Sequence, residues 1–92
     1  MRFEWDAGKA ETNQRKHDVA FTEAATVFGD PLSETFADPD HSIGEFRYVT
    51  VGQSLAGRLL VVGHTEHDDA VRIITARQAT PHERRYYENK NR

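Results

Sequence analysis

Hydrophobic and polar residues alternate along the second half of the chain, as is typical of β-strands that bury one face. Three stretches rich in Val, Ile, Leu and Tyr follow this pattern, over residues 45–53, 58–66 and 70–77. SLAG joins the first two, and HDD or HDDA joins the second two. Because connections this short fit only hairpins, the pattern predicts three adjacent antiparallel strands. A shorter strand is predicted over residues 35–37, between two turn-rich segments.

The first half of the chain has the pattern of helices. Asp6 is a favourable N-cap for a largely polar helix over residues 7–17. Thr22 is predicted to cap a second helix, which carries apolar residues on one face and ends at Gly29. The stretch FEW, ahead of both helices, is predicted to form a short strand or an extended lead-in.

The last helix is predicted from its capping residues. Thr80 suits the N-cap, Pro81 the first helical position and Glu83 the capping-box position. Together the elements predict one α+β domain over residues 1–92. Two N-terminal helices would pack on an antiparallel sheet of about four strands, and a C-terminal helix would follow.

The position of polar residues on this sheet depends on the register of the first hairpin. A symmetric two-residue turn in SLAG places Arg47 opposite His64, and Glu45 opposite Glu66. Because side chains alternate between the two faces of a strand, all four would lie on one face. The hairpin therefore predicts a polar cluster at one end of that face.

The second hairpin leaves open which arginine joins this cluster. A four-residue HDDA loop places Arg77 on the face of His64, whereas a three-residue HDD loop places Arg72 there. In the absence of a β-bulge, the two arginines lie on opposite faces. Only one of them can then lie beside His64.

The predicted cluster has two main interpretations. It could form ordinary cross-strand ion pairs on a solvent-facing sheet. Alternatively, an imidazole, a carboxylate and guanidinium groups on a rigid sheet could carry out acid–base chemistry on a phosphodiester. A metal site formed by His64, Glu66 and Asp68 is disfavoured, because the strand is predicted to end at Glu66 and the helical i, i+4 spacing is missing.

Composition and charge limit the class of protein. With 92 residues, no cysteine and no long apolar run, the chain is expected to be a single soluble domain without a transmembrane span. MRFEWDAGK lacks the apolar stretch of a signal peptide, so a cytoplasmic location is expected. The net charge is −3. Residues 72–92 hold six basic and two acidic residues, or +4, against −7 elsewhere, which favours an anionic partner at the basic end.

The chain also resembles a known family over nearly its whole length. The matching stretches are FEWDAGKAETNQRKHDVAFTEAATVFGDP, DPDHSIGEFRYVTVGQS, GRLLVVGHTEHDDAVRIITARQAT and ERRYYE. They resemble the BrnT family, the toxin half of a type II toxin–antitoxin pair. RKHDVAF and VRIITARQAT followed by ERRYYE are the most specific pieces.

This resemblance implies a compact RelE-like fold and a metal-independent ribonuclease that inhibits growth by cleaving RNA, with no cofactor. It also implies a BrnA-like antitoxin that neutralises the toxin, in a heterotetramer built around an antitoxin dimer. Promoter DNA would be contacted only through the antitoxin.

Residue by residue, the resemblance implies a site for attack of a 2′-OH on the adjacent phosphate. His64 and Glu66 would assist proton transfer, and arginines would hold and neutralise the phosphate. The implied catalytic residues are His64, Glu66, Arg72 and Arg77; the implied RNA-binding residues are Arg47, Arg84, Arg85, Tyr86 (or Tyr87) and Lys9; Lys16 and His17 also match family-typical positions.

One property departs from the family pattern. The chain is mildly acidic where related toxins are expected to be more basic, which argues against tight RNA binding, since phosphate contacts supply most non-specific affinity. The alternative function is a non-catalytic binding module, acting as partner or co-repressor in a protein–DNA complex, with the polar cluster serving as salt bridges.

Overall fold

The computed structural model describes residues 1–41 and 44–90. Within these ranges the strands are β1 (Arg2–Glu4), β2 (Glu34–Ala37), β3 (Tyr48–Gln53), β4 (Leu59–His67) and β5 (Ala70–Gln78). The helices are α1 (Ala7–His17), α2 (Phe21–Thr26) and α3 (Pro81–Lys90), with 3₁₀ turns at Val27–Gly29 and Pro39–His41.

The strands form one sheet in the order β1-β5-β4-β3-β2. The α+β class is confirmed, but the predicted antiparallel sheet of about four strands is wrong. In the described part of the chain the sheet has five strands, and β1 pairs with β5 in parallel. β1 has only three residues and its partner lies far along the chain, with Arg2 opposite Ala70. No local pattern could indicate that pairing.

The caps of the first and last helices follow the predictions. The Asp6 carboxylate accepts a hydrogen bond of 2.9 Å from the Lys9 backbone N–H at the start of α1. At the start of α3, Thr80 and Glu83 form a reciprocal capping box, with backbone-to-side-chain bonds of 2.8 and 3.2 Å. These signals involve residues three apart in sequence, so the sequence alone reveals them.

The predicted cap of the second helix is wrong. Ala20 is the N-cap of α2 and makes no side-chain cap hydrogen bond. Tertiary contacts stabilise this short helix instead: Phe21 is buried, and Glu23 pairs with Arg58, just before β4, through hydrogen bonds of 3.0 and 2.5 Å. The start of α2 is therefore set by burial of Phe21 and by the Glu23–Arg58 pair, not by a side-chain cap.

The first hairpin turns through three residues, 55–57, and the backbone hydrogen bond that flanks the turn is 2.9 Å long. Gly57 has a φ of 84°, the left-handed conformation that ends three-residue hairpin loops. The predicted two-residue turn is therefore wrong, and Tyr48, not Arg47, lies opposite His64. A slip of one residue moves each β3 side chain to the other face relative to β4.

The second hairpin turns through two residues, Asp68 and Asp69, with His67 paired to Ala70. Neither the three-residue nor the four-residue loop is present. Asp68 has a φ of 53°, a left-handed conformation that short polar side chains tolerate. Because the turn has only two residues, the pairing of β4 with β5 continues up to His67 and Ala70.

A β-bulge interrupts the pairing of β4 with β5. Gly63 pairs with Thr75 and His64 pairs with Ile73, so Ile74 has no partner in β4. An extra residue of this kind shifts the alternation of side chains along its strand. The bulge therefore decides which face each arginine of β5 occupies.

The two faces of the sheet have different coverings. The inner face, defined by the side chains of Thr50, Val62 and His64, packs against α1, α2 and the first 3₁₀ turn and forms the core. The outer face, defined by Val51, Val61 and Arg77, lies beside α3.

Asn13 joins α1 to the sheet from within the core. Its amide donates to the carbonyl oxygens of Val19 (3.0 Å) and Ala76 (2.9 Å), and it accepts a bond of 3.0 Å from the Ala76 N–H. These three bonds satisfy the buried Asn13 amide and also the backbone groups of Val19 and Ala76 that it contacts. They explain how a helix with few apolar residues is held in place.

Candidate active site

His64 lies in the hydrophobic core. Its side chain is fully buried, with the Phe28 ring edge-on at 4.9 Å and the Tyr48 ring stacked at 5.9 Å between centroids. Its Nε2 is 2.8 Å from the Thr50 hydroxyl, which in turn is 2.7 Å from the Thr35 hydroxyl. The imidazole is thus fixed by packing on two sides and by a hydroxyl at one nitrogen.

Burial determines the protonation state of this ring. Desolvation lowers the pKa of His64 to about 4, so the imidazole is neutral at pH 7. The Glu66 carboxylate is 3.7 Å from His64 Nδ1, beyond hydrogen-bond range, and it is partly exposed to solvent. This contact is therefore not an ion pair at neutral pH.

The structure does not form the polar cluster that the sequence predicted. Arg47 lies just before β3, and Glu45 is exposed in a bend further upstream. The His64 side chain lies on the inner face, and Arg47 lines a cavity with the outer-face residues Val61 and Arg77. His64 is also among the residues around that cavity. The predicted grouping of Glu45, Arg47, His64 and Glu66 on one face is therefore wrong, because it rested on the incorrect hairpin register.

Neither β5 arginine lies on the same face as His64, although Arg77 and His64 line one cavity. Arg77 pairs with Val61, and Arg72 pairs with Thr65, both on the face opposite His64. The sequence predicted that one of the two would lie beside His64, on the condition that no bulge is present. The extra residue Ile74 breaks that condition and places both arginines on the outer face.

The outer face instead brings Arg77 and Arg47 together. Both line a cavity of about 200 Å³, with Asp38 as the carboxylate at its wall. The Arg47 carbonyl accepts a hydrogen bond of 2.8 Å from the Asp38 N–H, which fixes the segment before β3 against the end of β2. Two guanidinium groups and a carboxylate thus meet at one concave site.

A second cavity, of about 400 Å³, adjoins the first beneath α3. The two share Arg77, Asp38 and the outer-face valines Val49 and Val61. His82 and Tyr86 of α3 complete the second cavity. The joined cavities combine apolar walls with arginine, imidazole and phenol groups.

Arg77 is paired across this site with Glu83 of α3. Two parallel hydrogen bonds, of 2.8 and 2.9 Å, join the guanidinium to the carboxylate. The Arg77 guanidinium holds the pKa of Glu83 at about 2, with a further contribution from the Thr80 N–H. Glu83 also raises the pKa of Arg77, so both groups are charged at neutral pH.

The predicted RNA-binding residues are spread over the surface. Tyr86 is half exposed and its ring is 6.2 Å from that of Phe36. Arg84 and Arg85 are exposed on α3, and Arg84 is 3.8 Å from Glu88. Lys9 is exposed on α1, where it lines another groove. Of the predicted RNA-binding residues, Arg47 and Tyr86 line the joined cavities, together with His64 and Arg77 from the predicted catalytic set.

Asp38 and His82 line the joined cavities but were not among the predicted site residues. In the sequence, Asp38 directly follows the predicted strand over residues 35–37, in a turn-rich segment, and His82 lies in the first turn of the predicted last helix. The correct register of the first hairpin would have directed attention to the outer face. No local signal would have placed α3 beside it.

Residues 1–41 and 44–90 also limit the class of site. No group of three or more His, Cys, Asp or Glu side chains there is arranged to hold a metal ion. Within the same residues, no helix is long and apolar enough to cross a membrane.

Comparison with known proteins decides the family. The model of a family described as "Ribonuclease toxin, BrnT, of type II toxin-antitoxin system" matches residues 5–83. The chain belongs to the BrnT family. This confirms the resemblance seen in the sequence and makes the chain a ribonuclease toxin of a type II toxin–antitoxin system. A family of this kind implies an antitoxin partner and an RNA substrate.

The BrnT fold is also found in a solved structure. The 1.1 Å crystal structure of the Brucella abortus ribonuclease toxin, BrnT, matches with a TM-score of 0.68 and 20% sequence identity. The match covers 87% of this chain and 97% of that chain. At this identity the likeness concerns the fold. Comparison with curated proteins gives no match.

Proposed function

We propose that this BrnT-family chain is a metal-independent endoribonuclease that inhibits growth by cleaving RNA in the cytoplasm. The observation that carries the proposal is the meeting of Arg47, Arg77 and Asp38 in one cavity, next to His82 and Tyr86 of α3. This set provides phosphate-binding, proton-transfer and base-stacking groups within a single concave site.

Two arginines are suited to the charge that RNA cleavage develops. When the 2′-OH attacks the adjacent phosphorus, negative charge increases on the phosphoryl oxygens in the transition state. Arg77 and Arg47 would bind these oxygens and stabilise that charge, a task that other nucleases give to a metal ion. The internal 2′-OH supplies the nucleophile.

Proton transfer completes the proposed reaction. The 2′-OH loses its proton to a base as the new O–P bond forms, and the 5′-oxygen gains a proton as the old P–O bond breaks. The products are a 2′,3′-cyclic phosphate and a 5′-OH end. Asp38 is the carboxylate in the cavity that can serve as base, and His82 can serve as acid. Each such group contributes about 10²–10⁴-fold.

The assignment of catalytic roles to His64, Glu66 and Arg72 remains a prediction. His64 is buried and its ring would have to leave the Phe28–Tyr48 stack to reach RNA. Arg72 is exposed on the outer face, near the Asp68–Asp69 turn. We propose that His64 positions the strands and that Arg77 and Arg47 hold the phosphate.

The proposed partner is a BrnA-like antitoxin. The type II family supports a protein antitoxin, and we propose a heterotetramer built around an antitoxin dimer, with promoter DNA contacted through the antitoxin. Tyr86 and Phe36 form an exposed aromatic pair beside the site. An antitoxin that covers this pair would also block the cavities. The RelE-like classification of the fold is likewise a proposal.

The test uses purified, antitoxin-free protein and a single-stranded RNA in buffer with EDTA. Cleavage is expected to persist in EDTA and to leave a 2′,3′-cyclic phosphate end. Arg77→Ala is expected to lower kcat/KM by about 10²-fold or more. Arg15→Ala, which removes an exposed cation of α1 away from the cavities, is the matched control and should have little effect.

Two results would contradict the proposal. Loss of cleavage in EDTA would rule out a metal-independent mechanism. Full activity of Arg47→Ala and Arg77→Ala would show that the site lies elsewhere. His64→Ala, measured for both melting temperature and activity, then distinguishes a structural role from the catalytic role first predicted.

A further inference from the structure

We infer that a groove between α1 and the β5 bulge binds the single-stranded RNA that flanks the cleaved bond, with Lys9 and Lys16 contacting its phosphates. The inference rests on the proposed function and extends it. It adds Lys16 and Thr75 to the substrate-contacting residues and gives the RNA a path across the protein.

The groove has a volume of about 520 Å³. Lys9, Thr12 and Lys16 line it from α1 and are three and four residues apart, so they occupy one face of the helix. Asp6 lies at one end, where its carboxylate already accepts the Lys9 backbone N–H. In the described part of the chain, neither lysine takes part in an ion pair.

The groove is continuous with the proposed active site. Ile74 and Thr75 line both this groove and the cavity that holds Arg47 and Arg77. Ile74 is the extra residue of the bulge, and bulges commonly redirect side chains beside active sites. A strand of RNA bound at the two arginines can therefore pass over this junction into the groove.

Gly63 makes room for the junction. A Cβ atom at this position would lie 2.6 Å from Thr75 Oγ1, closer than any real contact of this kind. The hydroxyl of Thr75 thus occupies the space over the Gly63 backbone, and Thr75 itself is an exposed residue that lines both concave regions. A hydroxyl here can donate a hydrogen bond to a phosphate or accept one from a ribose.

The shape of the groove favours single-stranded RNA over a duplex. Lys9 and Lys16 are seven residues apart, a rise of about 10 Å along the helix, which is enough for more than one phosphate. Proteins read duplex RNA across a wide, shallow minor groove, whereas a short concave groove with aligned cations fits a single strand. An acidic segment of a protein partner is the competing occupant, and the test separates the two.

The experiment compares cleavage of a ten-nucleotide RNA with cleavage of a dinucleotide. The dinucleotide reaches only the arginine cavity, whereas the longer RNA also reaches the groove. Lys16→Ala is expected to lower the ratio of the two kcat/KM values about tenfold, through KM for the longer RNA. Thr75 lines both the groove and the arginine cavity, so Thr75→Val is expected to lower kcat/KM for both RNAs several-fold, and Thr75→Ser to restore both values.

Arg15→Ala is the matched control, because Arg15 is an exposed cation on the same helix that does not line the groove. For Arg15→Ala, the ratio of the kcat/KM values for the two RNAs should equal that of the wild type. An unchanged ratio in Lys16→Ala, or an equal fall in Lys16→Ala and Arg15→Ala, would overturn the inference. Loss of antitoxin binding by Lys16→Glu with no change in RNA cleavage would also overturn it, by making the groove a protein interface.

Failure of the proposed function gives a different result. If the wild type cleaves neither RNA, the ribonuclease proposal fails, and binding then tests the groove by itself. Fluorescence anisotropy with the ten-nucleotide RNA should show weaker binding for Lys16→Glu than for Arg15→Glu. Equal binding by these two variants would contradict the groove as an RNA site.

Discussion

His64 shows how strongly burial can change the role of a single residue. From the sequence, His64 is predicted to lie in a strand and to assist proton transfer. In the fold it fills the space between Phe28 and Tyr48 and joins the hydroxyl of Thr50. A side chain that is fully excluded from solvent and neutral at pH 7 stabilises the core by packing and by one hydrogen bond.

Its lowered pKa predicts a specific dependence of stability on pH. In the unfolded state His64 binds a proton near pH 6.5, whereas in the folded state it binds one only near pH 4. The free energy of unfolding therefore falls as the pH is lowered from 6.5 to 4. Between pH 7 and pH 5 this linkage should cost about 2 kcal/mol, measured as the free energy of unfolding in urea.

His64→Leu should remove that loss, although it also changes the packing and lowers stability at pH 7. The exposed His82 is the control, since His82→Gln should keep the wild-type difference between pH 7 and pH 5. A wild-type pH dependence that survives in His64→Leu would mean that other groups cause it.

At the scale of elements, α3 is the helix that the sheet holds least firmly. None of its described residues is buried. Polar contacts fix it: Arg77 with Glu83, Tyr87 with Asp30 at 2.7 Å, and Lys90 with Glu34. A helix fixed mainly by exposed polar contacts is a low-stability element of the fold.

The first of these contacts should oppose RNA binding. Glu83 occupies the guanidinium that is proposed to hold the phosphate, so the two compete for Arg77. Glu83→Gln should therefore strengthen binding of RNA about fivefold, measured as Kd by anisotropy, while lowering the melting temperature slightly.

Glu88→Gln is the control, because it removes the same charge from an exposed position on α3. Equal gains in both variants would indicate a general effect of charge rather than release of Arg77. The pKa of Glu83 gives a second check: its contribution to stability should be complete above about pH 4.5 and decline as the pH falls toward about 2.

At the scale of the molecule, the net charge of −3 is unevenly distributed along the chain, since residues 72–92 carry +4 and the rest carries −7. The proposed RNA path uses four cations, Lys9, Lys16, Arg47 and Arg77, in an otherwise acidic protein. Long-range attraction to RNA is therefore weak, and affinity depends on contacts along this path.

Binding of single-stranded RNA should depend on salt in proportion to these contacts. Each neutralised phosphate contributes about −0.7 to the slope of log K against log salt concentration, so four cations predict a slope of about −2 to −3. Lys16→Ala should make the slope less negative by about 0.7, and Arg15→Ala should leave it unchanged. A wild-type slope near zero would show that phosphate contacts do not drive binding.

Local sequence signals predicted much of this protein correctly. Asp6 and the Thr80–Glu83 box marked the starts of α1 and α3, and alternation marked the three long strands, because each signal acts between residues close in sequence. Motifs over the whole chain also revealed the BrnT family, which the match over residues 5–83 confirms.

Only the tertiary structure decided which side chains meet. A left-handed Gly57 and the extra residue Ile74 each shift the pairing of strands by one position, and one position changes the face of every side chain beyond it. The sequence therefore identified Arg47 and Arg77 as functional candidates but placed them with His64. The fold places His64 on the opposite face of the sheet from Arg77, because hairpin geometry and bulges depend on backbone conformation that hydrophobic alternation does not encode.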